Sequence, residues 1–208
     1  MDTAIVTFSR KLGWALALSG DLARADGVVR EVLDLTGPSS LARARMYVVL
    51  GRIAQLRQRQ RDAMRAFGQA LELVAGEDQW AEYELQMAIG ELRLADGDGV
   101  AASNAFRRAL ELSADPSNNE HVLARFALIE AELASADIEG ASSHAEKAMT
   151  QATDTSEPRL IARAQGLLGR LAAIRGDDVE AQERYRAAVT FASQAGDLRE
   201  VQRWRREL

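Results

Sequence analysis

Apolar positions along this chain keep a helical period inside a longer repeat. The pairs Leu12-Gly13, Leu50-Gly51, Ile89-Gly90, Leu128-Ile129 and Leu168-Gly169 follow one another at intervals of 38, 39, 39 and 40 residues. Twelve residues after the second member of each pair stands an alanine, Ala25, Ala63, Ala102, Ala141 or Ala181, and four further on comes Val29, Phe67, Phe106, Ala145 or Tyr185. Three beyond that lies Val32, Ala70, Ala109, Ala148 or Ala188, followed by Leu33, Leu71, Leu110, Met149 or Val189. Offsets of three, four and seven put these side chains on one face of a helix. The stretch from each pair to its alanine crosses a turn. Gly20-Asp21, Gly97-Asp98 and Gly176-Asp177 each supply a glycine to end one helix and an aspartate to cap the next, while Arg59-Gln60-Arg61-Asp62 and Ala136-Asp137 carry weaker versions of the signal. The pattern predicts an all-α chain of five helix–turn–helix units, over residues 3–37, 39–76, 78–115, 118–154 and 157–195. From Asp197 onward Leu198, Val201, Trp204 and Leu208 fall near one face and Arg199, Arg203, Arg205 and Arg206 mostly elsewhere, which predicts a further amphipathic helix over 197–208 with a solvated basic face.

A leucine-glycine pair on a first helix, a glycine at the turn, then alanine, an aromatic and alanine on a second helix: this order resembles the tetratricopeptide repeat. The match covers residues 4–195 and is best in the second, third and fifth units. The first unit has Val29 and Val32, and the fourth has Ile129 and Ala145, where the pattern has glycine and an aromatic; the aromatic usual at the fourth position of the first helix survives as Tyr47. The units exceed the usual length of about 34 residues by roughly one helical turn, and in spacing alone they are similar to those of bacterial signalling regulators and motor light chains. The resemblance implies a right-handed superhelical solenoid of five hairpins plus a carboxyl-terminal capping helix, a single domain over residues 1–208 whose first helices line a concave groove.

By the same resemblance, the residues facing that groove include Arg10 and Trp14; Arg45, Val48, Arg52 and Gln55; Glu84, Met87, Glu91 and Leu94; Leu123, Phe126, Glu130 and Leu133; and Arg163, Gly166 and Arg170. Met87, Phe126, Glu84, Glu91 and Glu130 make its centre apolar and acidic, and arginines make both ends basic. Met87 and Phe126 are candidate anchors for a partner, with ordinary packing between helices as the alternative. A peptide or partner helix with apolar anchors, basic residues over the centre and acidic ones over the ends would suit such a groove. The carboxylate clamp of the family uses lysine and asparagine where this chain has Val48, Arg52, Met87 and Glu91, so that mode is not expected. The first helix starts almost at Met1, with Ile5 and Phe8 apolar and no polar cap before it, which marks this end as a surface for self-association or for further polypeptide.

Composition narrows the chemistry. Hydrophobic residues are 47% of the 208, aromatics only 5%, and alanine abounds, which suits closely stacked helices. Charged residues are 27% with a formal net charge of -5 and mixed signs, so neither nucleic acid nor an anionic membrane is an expected partner. The chain has no cysteine, no run of about 18 apolar residues and no signal-peptide pattern, and a soluble, cytoplasmic protein without cofactor or metal is expected. No nucleophile, base and orienting group converge in the pattern. His121, in a loop-like approach running from Asp115 to Glu120, and His144, on a second helix, read as surface or structural residues, and Asp96-Gly97-Asp98-Gly99 reads as a turn rather than a calcium loop. Two functions stand: a non-enzymatic scaffold holding a peptide or partner helix, and a sensor or regulatory segment answering to a peptide or small ligand.

Overall fold

Among the described residues, six connections are built by one device. At Gly20, Gln58, Gly97, Ala136, Gly176 and Gly196 the backbone enters the left-handed region, with φ between 58° and 89°. The following residue returns its N–H to a carbonyl five positions back: Asp21 to Leu16, Arg59 to Ala54, Asp98 to Arg93, Asp137 to Glu132, Asp177 to Ala172 and Asp197 to Ala192, all at 2.8–3.0 Å. This closure satisfies the last carbonyls of the helix it ends. The aspartate then caps the next helix, Asp98 accepting from the Ala101 N–H at 3.1 Å, Asp137 from Gly140 at 3.0 Å, Asp177 from Glu180 at 3.0 Å and Asp197 from Glu200 at 3.2 Å. Arg59 supplies no such cap to its helix.

The computed structural model describes residues 3–35, 40–113, 115 and 118–208, apart from the side chains of residues 3–5. Expectations about the start of the chain at Met1, the Ile5 side chain, the boundary of the first two units at residues 37 and 39, and Pro116 and Ser117 lie outside the described residues. Within them are eleven helices, α1 (Thr3–Leu18), α2 (Leu22–Leu35), α3 (Ser40–Leu56), α4 (Gln60–Val74), α5 (Gln79–Ala95), α6 (Gly99–Leu112), α7 (Asn119–Ala134), α8 (Ile138–Thr155), α9 (Pro158–Ile174), α10 (Asp178–Gln194) and α11 (Leu198–Arg205). α1 with α2, α3 with α4, α7 with α8 and α9 with α10 pack as hairpins, and α11 is shorter than its expected span. His121 belongs to α7 rather than to a loop, because Asn118 accepts from the Glu120 N–H at 3.2 Å and starts the helix before it. No helix among the described residues is long and apolar enough to cross a membrane.

The chain packs as two compact units, Met1–Leu92 and Arg93–Leu208, and no shift in composition marks their boundary inside α5. In the first, Val29 and Val32 of α2 are buried with Met46, Val49 and Ile53 of α3, and Ala63, Phe67 and Ala70 of α4 with Leu85, Ala88 and Leu92 of α5. In the second, Val122, Phe126 and Ile129 of α7 meet the alanine row of α8, Ala141, Ala145, Ala148 and Ala152, and Leu160, Ala164, Leu167 and Leu171 of α9.

The glycine of each leucine-glycine pair works by close approach. A Cβ on Gly13 would stand 2.8 Å from Val29, and one on Gly169 would stand 2.8 Å from the Tyr185 ring. On Gly51 it would lie 2.3 Å from Phe67. The bulky residue of the second helix thus fills the notch its own first helix leaves. In the fourth unit the bulk has changed sides: Ile129 on the first helix and Ala145 on the second are both fully buried in one cluster. What reads in the sequence as two departures from the pattern is one exchange of size.

Ala136 is an L-residue held at φ 61° where four of the other five such turns have glycine. Ala136→Gly is expected to stabilise the 93–208 unit by about 0.5–1 kcal/mol and Gly176→Ala to destabilise it by a similar amount. Urea unfolding of the two variants checks both signs.

Candidate partner-binding face

Arg45, Val48 and Arg52 stand in one row on α3, and Glu84, Met87 and Glu91 in the equivalent row on α5, all within the 1–92 unit. Arg45 and Glu84 are exposed, and Val48 and Met87 are half-buried between them and the charges one turn further on. The rows are tied by a single bridge, from the Arg52 guanidinium to a Glu91 carboxylate oxygen at 2.9 Å, with both side chains open to solvent. Arg52 also reaches Gln55 at 3.2 Å and lies 5.9 Å over the Phe67 ring. The result is a surface with a cationic edge, an anionic edge and two apolar side chains between them.

In the 93–208 unit Phe126, Glu130, Arg163 and Gly166 are engaged by the chain itself, while Leu123 is 39% exposed. Phe126 is 0% exposed beneath the Arg163 guanidinium, which lies 5.2 Å from the ring centre. The packing alternative therefore describes Phe126, and as an open anchor it is corrected: α8 and α9 close over the ring. One oxygen of Glu130 accepts from Arg163 at 3.0 Å and from Arg203 of α11 at 3.2 Å. Burial alone would raise the Glu130 pKa, but the two guanidiniums outweigh it and hold the carboxyl below its ordinary range. Gly166 is covered by Trp204, whose ring would lie 2.2 Å from an added Cβ. Arg170 alone of the charged positions named in this unit stays half-open without an ion pair.

Thus α11 does more than solvate an end. Val201 and Trp204 are buried, Trp204 stacks on Tyr185 with ring centres 6.1 Å apart, and Arg203 leaves the solvated face to bind Glu130. Leu198 and Leu208, expected on the packed face, are instead exposed, because the helix ends at Arg205 and rests on α10 and α9 through the other two residues.

Polar groups on the other side of α7 are also paired. The His121 Nδ1–H donates to the Ser113 carbonyl at 2.6 Å, its Nε2 accepts from Arg125 at 2.9 Å, and Arg125 donates to Gln151 at 2.9 Å. The buried Glu132 carboxylate meets His144 Nδ1 at 2.9 Å and Arg107 at 3.7 Å. Both histidines are held in structural contacts, and no group of three metal-ligating side chains occurs among the described residues.

At α1 the apolar stripe faces two ways. Val6 and Ala17 pack inward with α2 and α3, whereas Phe8 is 67% and Leu18 66% exposed, with Leu12 and Trp14 partly open. In the repeat register Phe8 corresponds to Met46, Leu85, Ala124 and Ala164, each at most 1% exposed. Met46 is covered by the second helix of the preceding hairpin; among the described residues nothing takes that place over Phe8.

No protein-family model matches the chain, and no curated protein matches it in sequence. Solved structures do match. The apo form of RapI superposes with a TM-score of 0.74 at 17% identity, covering 87% of this chain and 51% of that one, so this chain spans about half of that protein's length. A putative kinesin light chain from Podospora anserina, with nearly identical repeats of the tetratricopeptide type, gives 0.76 at 16% identity, covering 93% and 98%. YrrB, described as a tetratricopeptide protein with an unusual peptide-binding site, gives 0.63 at 19%, covering 95% and 90%. The fold is of the tetratricopeptide type.

Proposed function

We propose that this protein is a non-enzymatic interaction module that holds a peptide or partner helix on the α3–α5 face. The observation that carries the reading is the contrast between the two units. Arg45, Val48, Glu84 and Met87 remain available, and only the open Arg52–Glu91 bridge crosses the face. In the other unit the counterparts of Val48 and Met87 are covered, Phe126 by Arg163 and Gly166 by Trp204, and the counterpart of Glu91, Glu130, is held by Arg163 and Arg203. A suitable partner lays an apolar ridge over Val48 and Met87, with acidic residues toward α3 and basic ones toward α5. The peptide-binding site in the description of YrrB supports this class of ligand. A cytoplasmic setting, with which the absence of cysteine agrees, belongs to the same reading.

Arg45→Glu combined with Glu84→Arg reverses both edges at exposed positions. Capture of polypeptide partners from native lysate is expected to fall at least about tenfold, the equivalent of one buried charge contact, with helicity and melting unchanged. Undiminished capture places the interface elsewhere.

A second reading, a regulatory segment of a signalling protein, is supported by the likeness to half of RapI and by the Rap protein described as complexed with Competence and Sporulation Factor. The outer face of α1 adds a surface for self-association. Phe8, Leu12 and Leu18 leave an open apolar row on α1 that two antiparallel copies can share across a two-fold axis. Sedimentation velocity should show concentration-dependent dimers that Phe8→Glu abolishes; a monomer at all concentrations rejects this contact.

A further inference from the structure

The α3 and α5 rows that frame the proposed face each continue one turn toward the start of their helices, from Arg45 to Leu41 and from Glu84 to Trp80. There Leu41 and Trp80 line a cleft of about 380 Å³, with Leu73 and Val74 at the end of α4 and Glu77 and Asp78 in the connection to α5. The volume falls in the range of small-ligand pockets, and every lining residue belongs to the 1–92 unit. Apolar side chains and two carboxylates line the cleft, with no arginine, lysine or histidine.

Trp80 is 52% exposed. It stacks on Tyr83, with ring centres 5.2 Å apart, so the indole is held in place while half of it stays open. Asp78 uses one carboxylate oxygen to cap α5, accepting from the Ala81 N–H at 3.0 Å. No arginine or lysine among the described residues pairs with Asp78 or with Glu77.

The fifth hairpin fills the equivalent place from within. Leu41 and Trp80 each stand nine residues before the first member of a repeat pair, Leu50 or Ile89, and the residue nine before Leu168 is Arg159. From the start of α9, Arg159 donates through Nε to the Asp197 carboxylate at 2.9 Å, while the other oxygen of Asp197 caps α11. A guanidinium on the first helix thus reaches the aspartate that caps the helix after the hairpin. In the second hairpin Leu41 stands in the arginine's position, and Asp78 keeps the carboxylate without the cation. An arginine presented by a partner completes the pair. Its methylene stem lies along Leu41 and Leu73 and its guanidinium meets Asp78, Glu77 and the open indole, as Arg203 lies 4.5 Å over Trp204 in the other unit.

We propose that this cleft is the specificity pocket of the α3–α5 face and takes an arginine side chain of the polypeptide held there, an assignment that rests on the reading of that face.

The probe is N-acetyl-arginine methylamide, whose only charge is the guanidinium, titrated into the isotope-labelled full chain. The indole N–H signals of Trp14, Trp80 and Trp204 are followed by NMR, and Trp80→Phe assigns that of Trp80. A saturable millimolar shift confined to Trp80 is expected, with the lysine analogue weaker, for want of a planar group to stack, and the norleucine analogue weaker still. Asp78→Asn, which keeps a capping side chain, should weaken binding at least about threefold, the loss of one partly exposed ion pair. Leu41→Arg should fill the pocket from within and abolish binding, and its bridge to Asp78 should appear as a favourable coupling in a double-mutant cycle with Asp78→Asn. No saturable shift, equal shifts at Trp14 or Trp204, equal binding of the lysine or norleucine analogue, or undiminished binding to Asp78→Asn overturns the proposal. A failed probe with capture still lowered by Arg45→Glu and Glu84→Arg strikes the pocket and leaves the face standing. A bound probe with undiminished capture strikes the face, and with it the pocket's role in holding a polypeptide.

Discussion

Trp204→Ala is expected to lower the stability of the 93–208 unit by about 3–5 kcal/mol, the range for truncating a fully buried large side chain. Trp204 is the largest fully buried side chain in the protein's described residues, yet it sits on a helix of 8 residues. Such a helix has little stability of its own, so tertiary packing must hold it. Gly166 supplies the notch, Tyr185 the stacking partner, and Arg203 lies 4.5 Å over the indole while reaching Glu130. Loss of the ring therefore releases α11 and the Arg203 bridge with it. Urea unfolding reads the loss, and limited proteolysis should cut after Asp197 in the variant first. Because the indole N–H is buried without an acceptor, Trp204→Phe should retain more stability than a polar contact at that atom would allow. A Trp204→Ala loss under about 1 kcal/mol, the size expected for a surface change, would show that α11 is held by something else.

Phe67→Ala is expected to cost a similar 3–5 kcal/mol in the 1–92 unit, since the ring is 0% exposed and fills the notch at Gly51. Gly51→Ile alone should be at least as damaging, because its Cβ already falls within 2.3 Å of a ring that has nowhere to go. Combined, the two changes reproduce the arrangement of the fourth hairpin, Ile129 facing the Ala145 side. The double variant should therefore be more stable than the sum of its parts, with a favourable coupling of about 2–3 kcal/mol. Additive losses in a double-mutant cycle would mean that the two positions do not share one space and that the exchange seen in the fourth hairpin arose independently.

These two contacts also show what the sequence can and cannot convey. The hairpins were legible because stacking demands the same small and large residues in every unit, and the turn demands a residue tolerant of the left-handed region, so the requirement repeats and becomes a period. Even the exceptions, Ile129 and Ala145, were visible as positions, though not as one compensated contact. Phe126 was not legible. A helix carries both a packed and an open apolar row, and the resemblance that assigned Phe126 to the open row does not record that Arg163 and α9 lie across it. The Arg203–Glu130 bridge joins residues 73 apart, outside any helical spacing, so no local pattern announces it. Leu198 was misplaced for a related reason: amphipathic spacing gives the face of a helix, but only Trp204 seated at Gly166 decides which apolar residues of that face find a partner.

A polypeptide partner held on the α3–α5 face, and not on the matching positions of α7 and α9, should be trapped there by a photo-reactive benzophenone side chain placed singly at Val48, Glu84 or Arg170, irradiated in native lysate and followed by mass spectrometry of the adducts. One common polypeptide attached at positions 48 and 84 and none at 170 is expected; adducts at 170 with none at 48 or 84 would place the partner on the other unit.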